Sequence, residues 1–427
     1  MKQPTRRELL TLAAGGAAVG CSPVTNRDTH TADDDERFAA RLRALPDRSN
    51  EVAAISDAER AARLERLRAE MQRQDLDAVV LEPGASLQYL SAVRWGRSER
   101  LFALVVLADD DPFWVVPAFE APRAEAAIAT GGPAGELLAW HEHEYAFAPL
   151  AQRLVQRGAR RVAVDHQARV FVLDGLARTG ALEVGSAASV LTALRGQKDE
   201  HEVRLLRLAN ELTQQALGEV ATWLEPGLTD REVGDLVRRA QERLGLTDVW
   251  VLSLFDEGAA LPHGRASGRV LEPGSKILID TGGGLHGYQS DNTRTWIFEG
   301  SPDAEFQRAW DLVRRAQAAA FDAIRPGVPC REVDRAARAV IDAGGFGSGY
   351  EAFAHRLGHG IGLEGHEAPN FDGGSGVLLE PGMTFSDEPG IYLPGRFGIR
   401  IEDCVVVTED GADHFGEWQR SPTSPDR

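Results

Sequence analysis

The sequence predicts an α/β (α+β) protein of two domains, the second built from two related halves. Three observations predict it. Between about residues 51 and 190, short apolar runs alternate with helical stretches, the pattern of a layered α/β domain. Residues 198–224 then form one long helical pattern, KDEHEVRLLRLANELTQQALGEVATWL, which starts a new domain. Inside that domain the chain repeats itself weakly. WLEPGLTDREVGDLVRRAQERLG parallels AIRPGVPCREVDRAARAVIDAGG, with Pro226 and Pro326 in matching places, and LEPGSKILID parallels LEPGMTFSDE, with Pro273 and Pro381 in matching places. A period near 100 residues is no solenoid, so two similar halves should pack around a pseudo-twofold axis.

The elements follow in order. Residues 56–74 (SDAERAARLERLRAEMQRQ) read as an amphipathic helix opened by Ser56 or Asp57 as N-cap. DAVVLEP, ALVVLA, FWVVP and, at 161–165, RVAVD read as strands. This domain, 51–190, holds no dense group of catalytic residue types, so it should shape the substrate entrance or a dimer contact. In the second domain, 195–420, each Pro-Gly pair breaks the chain before a helix or strand. Seven residues beyond Pro273 stands Asp280, and seven beyond Pro381 stands Glu388. Each ends a strand-like run, so two related strands can aim two carboxylates at one central point.

The chain has 427 residues and a formal charge of −18, which argues against a nucleic-acid partner. Its 43% hydrophobic and 26% charged content is that of a globular protein with a full core. Three cysteines exclude a disulfide-built scaffold. Cys404 opens the apolar run CVVV and reads as a buried strand residue; a pairing with Cys330 stays open in an exported protein. Residues 1–20 form a charged start, with Arg6 and Arg7, and an apolar run from Leu9 to Val19. That run is shorter than the roughly 20 residues needed to span a bilayer, so it reads as a signal peptide. Thr5-Arg6-Arg7-Glu8-Leu9-Leu10 resembles a twin-arginine export signal, and Ala18-Val19-Gly20-Cys21 resembles a lipobox. The expected product is a periplasmic or cell-surface lipoprotein anchored through Cys21, with 21–50 as a polar, acidic tether ending in a short helix.

Five residues then stand out as metal ligands. Asp280 closes KILID, and Asp291 follows 11 residues later in SDNTRTWIF. His359 sits in HRLGHGIGLEGHE, Glu388 in DEPGIY and Glu402 in GIRIED. Four carboxylates and an imidazole make a hard, oxygen-rich set. Without cations the four acids would repel and take up protons. Two divalent ions cancel their charge, which is the physical reason to expect a dinuclear site. Gly282, Gly284 and Gly287 match G-x-G-x-x-G in form, but a strand pattern follows instead of a helix. This argues against a dinucleotide site, and these glycines read as a hairpin turn that returns Asp291 towards Asp280.

With these residues the chain resembles the pita-bread metallopeptidases, in the Xaa-Pro aminopeptidase and prolidase branch. The resemblance is carried by D-x10-D followed by H, E and E with the flanks GHG, EPG and RIED, over about 195–415. Residues 51–190 resemble, more weakly, the amino-terminal domain of the prolidase and creatinase branch. The resemblance implies that Asp291 and Glu402 bridge two divalent ions, manganese foremost, with cobalt, zinc or iron as alternatives. It implies Asp280 in one ion's shell, and His359 with Glu388 in the other's. His263, His366 and Glu388 become the catalytic set: a substrate-binding or proton-relay histidine, a histidine that steadies the tetrahedral intermediate, and a proton acceptor. His355, near the proline pocket, Tyr392 and Arg400, beside the metal carboxylates, are grouped on the substrate side. The implied activity is cleavage before proline in dipeptides or short peptides, by a hydroxide held between the ions, in a homodimeric enzyme. Two other readings are a creatinase-like C–N hydrolase and an inactive binding lipoprotein. Retention of every ligand disfavours both. Gly365, where valine is common, and Asp387, where an apolar residue is common, depart from the pattern and are expected to reshape the pocket.

Overall fold

The computed structural model describes residues 32–264 and 268–426; Arg6, Arg7 and Cys21, on which the export reading rests, lie outside them. The first helix, α1 (Ala32–Ala44), is the short helix expected to end the tether at 21–50. It belongs instead to the folded body. Phe38, Leu42 and Leu45 are buried in the core of the second domain, because a short helix with an apolar face is stable only when that face is covered.

The N-terminal domain runs α2 (Asp57–Arg73), β1 (Ala78–Leu81), α3 (Ala85–Leu90), β2 (Ala103–Leu107), β3 (Phe113–Pro117), α4 (Ala121–Ile128), β4 (Glu136–Trp140), α5 (Phe147–Gln156), β5 (Arg161–Val164), α6 (Val170–Ala177), β6 (Glu183–Ser186) and α7 (Ala188–Gly196). Ser56 caps α2 in a reciprocal box with Glu59. The six strands form one mixed sheet in the order β4-β3-β2-β1-β5-β6. Val79, Leu81, Leu104 and Val106 face one core, and Ala78, Val80, Ala103 and Val105 face the other. Burial on both faces explains why these strands read as unbroken apolar runs.

The second domain begins with α8 (Glu200–Ala221) and α9 (Asp230–Leu244), each opened by a capping box: Asp199 with Glu202, and Thr229 with Glu232. They cover an antiparallel sheet of β7 (Thr247–Phe255), β8 (Lys276–Leu285), β9 (Tyr288–Gln289) and β10 (Asn292–Ile297). Helices α10 (Ala304–Ala323) and α11 (Cys330–Asp342) likewise cover β11 (Gly358–Gly360), β12 (Glu367–Phe371), β13 (Thr384–Asp387), β16 (Asp403–Val407) and β17 (Ala412–His414), with a hairpin of β14 (Gly390–Leu393) and β15 (Phe397–Arg400) between. Each half has its own core.

The repeat is visible in the hydrogen bonds. Gly227 N–H donates to Leu271 O and Leu271 N–H to Leu228 O; in the other half Gly327 N–H donates to Leu379 O and Leu379 N–H to Val328 O. Gly227 and Gly327 both take left-handed φ, 103° and 83°, which glycine adopts without a Cβ clash. A bridge between Thr293 and Glu402 joins the halves. Cys330 and Cys404 are both free and buried, one in each half's core, which settles the open pairing against a disulfide. No helix among the described residues is long and apolar enough to cross a membrane.

Candidate active site

One hairpin explains the interval between the first two acids. β10 pairs Thr293 with Asp280 and Asn292 with Thr281, which brings Asp291 back alongside Asp280. The sequence pattern predicts all three glycines in the turn, and the structure corrects this. Gly282 and Gly284 lie inside β8, which continues past Asp280 instead of ending there. The turn itself is His286-Gly287, both left-handed with φ of 51° and 96°. At Gly282 an added Cβ would stand 1.9 Å from Ser290 O, so the close return of the chain requires glycine.

The second half supplies the rest. β11 presents His359, and Glu388 follows β13 with its N–H donating to Leu357 O at 3.0 Å. Glu402 precedes β16; its N–H donates to Thr293 O at 3.1 Å, and Thr293 Oγ1 donates to its carboxylate at 2.6 Å. His359 Nδ1 lies 3.1 Å from Gly360 O and must be the donor there, since a carbonyl only accepts. Its Nε2 is left facing Glu388 at 3.3 Å and Asp291 at 3.6 Å.

Nine of the ten residues singled out from sequence line one cavity of about 650 Å³; Tyr392 stands behind the wall. Potential ligand atoms converge within 4.8 Å in three overlapping sets: Asp280, Asp291 and Glu402; His359, Glu388 and Glu402; and Asp291, His359 and His366. Burial, with Asp280 and Glu388 close by, pushes Asp291 well up from 3.8. Burial, with Asp291, Glu388 and Asp280 close by, does the same to Glu402. Burial works against ionising Glu388 too, but His359 outweighs it and holds that carboxyl down at about 2. Asp280 Oδ1 is buried without a hydrogen-bond partner. Crowded, buried acids with an orphaned oxygen fit a divalent cation, which satisfies both.

Among the described residues Arg400 is the one arginine bonded into the acid cluster. Its nitrogens donate to Asp280 at 2.5 Å, Thr293 Oγ1 at 3.0 Å, Pro262 O at 3.0 Å and Tyr392 Oη at 2.8 Å. Tyr392 Oη lies 2.9 Å from His355 Nε2, and His355 Nδ1 2.7 Å from Arg356 O. The carbonyl makes Nδ1 the donor, so Nε2 accepts from the tyrosine. Both ring nitrogens of His355 and every nitrogen of Arg400 are therefore committed within the protein. These three residues, grouped from sequence on the substrate side, are bonded to one another, and His355 and Arg400 line the cavity. His366 packs against His359 with ring centroids 3.9 Å apart and planes tilted by 45°, and burial beside the His359 ring lowers it to about 4, a neutral imidazole at pH 7. His263 lies on the same wall, exposed.

Asp387 does not reshape the cavity. Its side chain points elsewhere, on the strand pair opposite Asp403, and burial with Asp403 raises it well above 3.8. Sequence reasoning missed Arg356, Trp250, Leu252 and Pro262 in the lining. Trp250 and Leu252 share one face of β7, a spacing of two that was available to read. Arg356 stands in HRLGH three residues before His359, half-buried, and its guanidinium makes no hydrogen bond or ion pair among the described residues.

Four carboxylates, two buried and two half-buried, and a buried histidine, gathered at the seam of two related half-domains, define a metallohydrolase site on a pita-bread fold. The chain belongs to metallopeptidase family M24, whose model matches residues 204–409; the creatinase/prolidase N-terminal domain matches residues 63–197. Members of this family use divalent metals. The chain is 38% identical to a probable dipeptidase PepE of Mycobacterium tuberculosis over 343 residues, 79% of this chain and 89% of that protein. It is 35% identical to an uncharacterized peptidase of Schizosaccharomyces pombe over 382 residues, 86% and 83% of the two chains. Among solved structures, dipeptidase PepE from Mycobacterium ulcerans superposes with a TM-score of 0.79 at 35% identity, covering 87% of this chain and 99% of that one. A prolidase from Thermococcus sibiricus does so with 0.77 at 26%, covering 86% and 99%.

Proposed function

We propose that this metallopeptidase is a two-metal dipeptidase that cleaves the bond before proline. The observation that carries the reading is the cavity's lining: five ligand residues converge in it, and Arg356, without a hydrogen-bond or ion-pair partner among the described residues, lines the same 650 Å³ space. Asp291 and Glu402 would be shared between the ions, Asp280 would complete one shell, and His359 with Glu388 the other; manganese is the first choice of metal. When bound, such ions supply Lewis-acid chemistry, polarising a carbonyl and acidifying a water. The four acids and Arg400 sum to −3, so two divalent ions leave a small positive charge where an oxyanion develops.

The chain's own residues do the rest. Glu388 takes the proton of the attacking water and returns it to the leaving nitrogen. His366 and His263 present imidazole N–H donors to the oxyanion. Trp250, Leu252 and Pro262 offer an apolar wall to a proline ring. Proline brings no amide hydrogen, so this wall leaves no donor unpaired. A dipeptide places its free carboxylate about 3.5 Å, one residue, beyond the scissile bond, whereas a longer peptide puts a neutral amide there. An unpaired guanidinium answers the carboxylate. The names prolidase and Xaa-Pro dipeptidase borne by similar structures support the same reading.

The proposal extends to place and assembly: export through the Arg6-Arg7 leader, lipid attachment at Cys21, and a dimer through the N-terminal domain, where Phe119, Tyr145 and Val170 are exposed. The deciding experiment compares kcat/KM for Ala-Pro, Ala-Ala and Ala-Pro-amide on metal-saturated enzyme. Ala-Pro should lead both. Equal rates for Ala-Ala would remove the proline preference, and equal rates for the amide would make the enzyme an aminopeptidase.

A further inference from the structure

Among the described residues the cavity walls come from the second domain alone, yet the N-terminal domain reaches the site from behind. Arg195 lies in the last turn of α7, the final helix of that domain. Its Nη2 donates to Glu364 Oε2 at 2.7 Å and to Glu367 Oε1 at 2.5 Å, and its Nη1 donates to Ser86 Oγ at 3.1 Å in α3. Lys198, one of only three lysines in the chain, places Nζ 3.3 Å from Glu367 Oε2. Glu367 Oε1 also accepts the backbone N–H of Glu364 at 3.2 Å, so the turn between the two acids is closed on itself. Arg195, Lys198 and Glu367 are all buried. Leu363, just ahead of the turn, packs against the cores of both domains.

The turn carries Gly365 and His366. A Cβ added at Gly365 would meet nothing within 4 Å, so no packing braces the backbone there. The His366 ring makes no hydrogen bond among the described residues; what it touches is the His359 ring. Its direction is therefore set by the backbone beneath it, and that backbone is set by Glu364 and Glu367. We propose that Arg195, assisted by Lys198, is a positioning residue through which the N-terminal domain holds the Glu364–Glu367 turn and aims His366 into the cavity. This rests on the reading of His366 as a substrate-facing group.

The test is a double-mutant cycle on the full, metal-loaded chain. His366→Ala should lower kcat about 100-fold or more. Arg195→Met should lower kcat about 10–100-fold through misplacement alone, with KM and metal content little changed. The double variant should be no slower than His366→Ala, and Arg195→Lys should recover part of the loss. Arg63→Met is the control. It cuts a different tie between the domains, Arg63 Nη2 to Tyr288 Oη at 3.0 Å and to Glu202 at 3.4 Å, and should leave kcat near its starting value. If Arg195→Met does not fold, Glu364→Gln in the same cycle carries the test. Unchanged kcat in Arg195→Met, multiplying losses in the double variant, or an equal loss in Arg63→Met would each overturn the positioning role while leaving the peptidase reading intact. Full rate in His366→Ala would remove that histidine's assigned role, and this proposal with it.

Discussion

Asp291→Asn should raise the stability of the metal-free protein and lower that of the metal-loaded protein. The substitution keeps the side chain's shape and deletes one charge from the acid cluster. Oxygens of Asp280, Asp291 and Glu402 lie within 4.8 Å of one another. At that separation and an effective dielectric of about 20, each ionised pair costs about 3 kcal/mol. The protein can avoid part of this by keeping a proton on Asp291. Holding an acid of ordinary value 3.8 protonated at pH 7 costs about 4 kcal/mol, which caps the penalty. Arg400 offsets some of it, so the asparagine should return about 1–3 kcal/mol in chelator. With saturating manganese the order reverses. A loss of about 100-fold in affinity removes about 2.7 kcal/mol of ligand-linked stability. Urea unfolding in chelator and in manganese reads both effects on the same samples. A variant less stable than the parent in chelator would show that the cluster is not electrostatically strained. A variant that gains as much from manganese as the parent would show that Asp291 holds no metal.

Other outcomes follow from the same structure. In metal-free protein Asp291 and Glu402, raised from 3.8 and 4.5, keep protons in the folded state that the unfolded chain has released, so these two acids should withdraw stability as pH rises from those ordinary values towards their raised ones. His355 and His366, lowered from 6.5, pull the other way only below that value, so a thermal midpoint that climbs above it would contradict the assignment. Tyr392→Phe leaves Arg400 and His355 each short of a partner and should cost about 1–3 kcal/mol of stability, measured in urea, with KM little changed because the tyrosine does not line the cavity. Changing Arg6 and Arg7 to lysine should retain the protein inside the cell, and Cys21→Ser should release it from membranes or block its processing; unchanged fractionation in both would end the export proposal.

What the sequence disclosed follows from how local each signal is. The carboxylate interval from Asp280 to Asp291 is one hairpin, and the Pro-Gly repeat is two copies of one turn, so both were legible from spacing. The three-glycine pattern misled because glycine marks turns and close strand contacts alike: Gly287 turns the chain, whereas Gly282 makes room for Ser290. The short helix ending the 21–50 stretch was legible, but its docking on the core was not, because its apolar partners, among them Leu205 and Val237, lie far along the chain. Arg356 was passed over because an arginine is normally solvated or paired, and only three dimensions reveal that it lines the cavity without a partner among the described residues. Arg195 and Glu367 are 172 residues apart, and no local pattern joins them.

The seam between the half-domains has a mechanical consequence. Asp280 and Asp291 belong to the first half, and His359, Glu388 and Glu402 to the second, with the Thr293–Glu402 bridge between. An ion seated among them is a rivet through two plates as well as a reagent. Withdrawing it leaves the plates tied by backbone bridges and side-chain packing but pushed apart by like charge at the rivet hole. The metal-free chain should therefore gape first along this line, with amide exchange of Glu402, whose N–H donates to Thr293 O, quickening before that of either half's core. Loss of the cofactor and loss of the fold then begin at the same place.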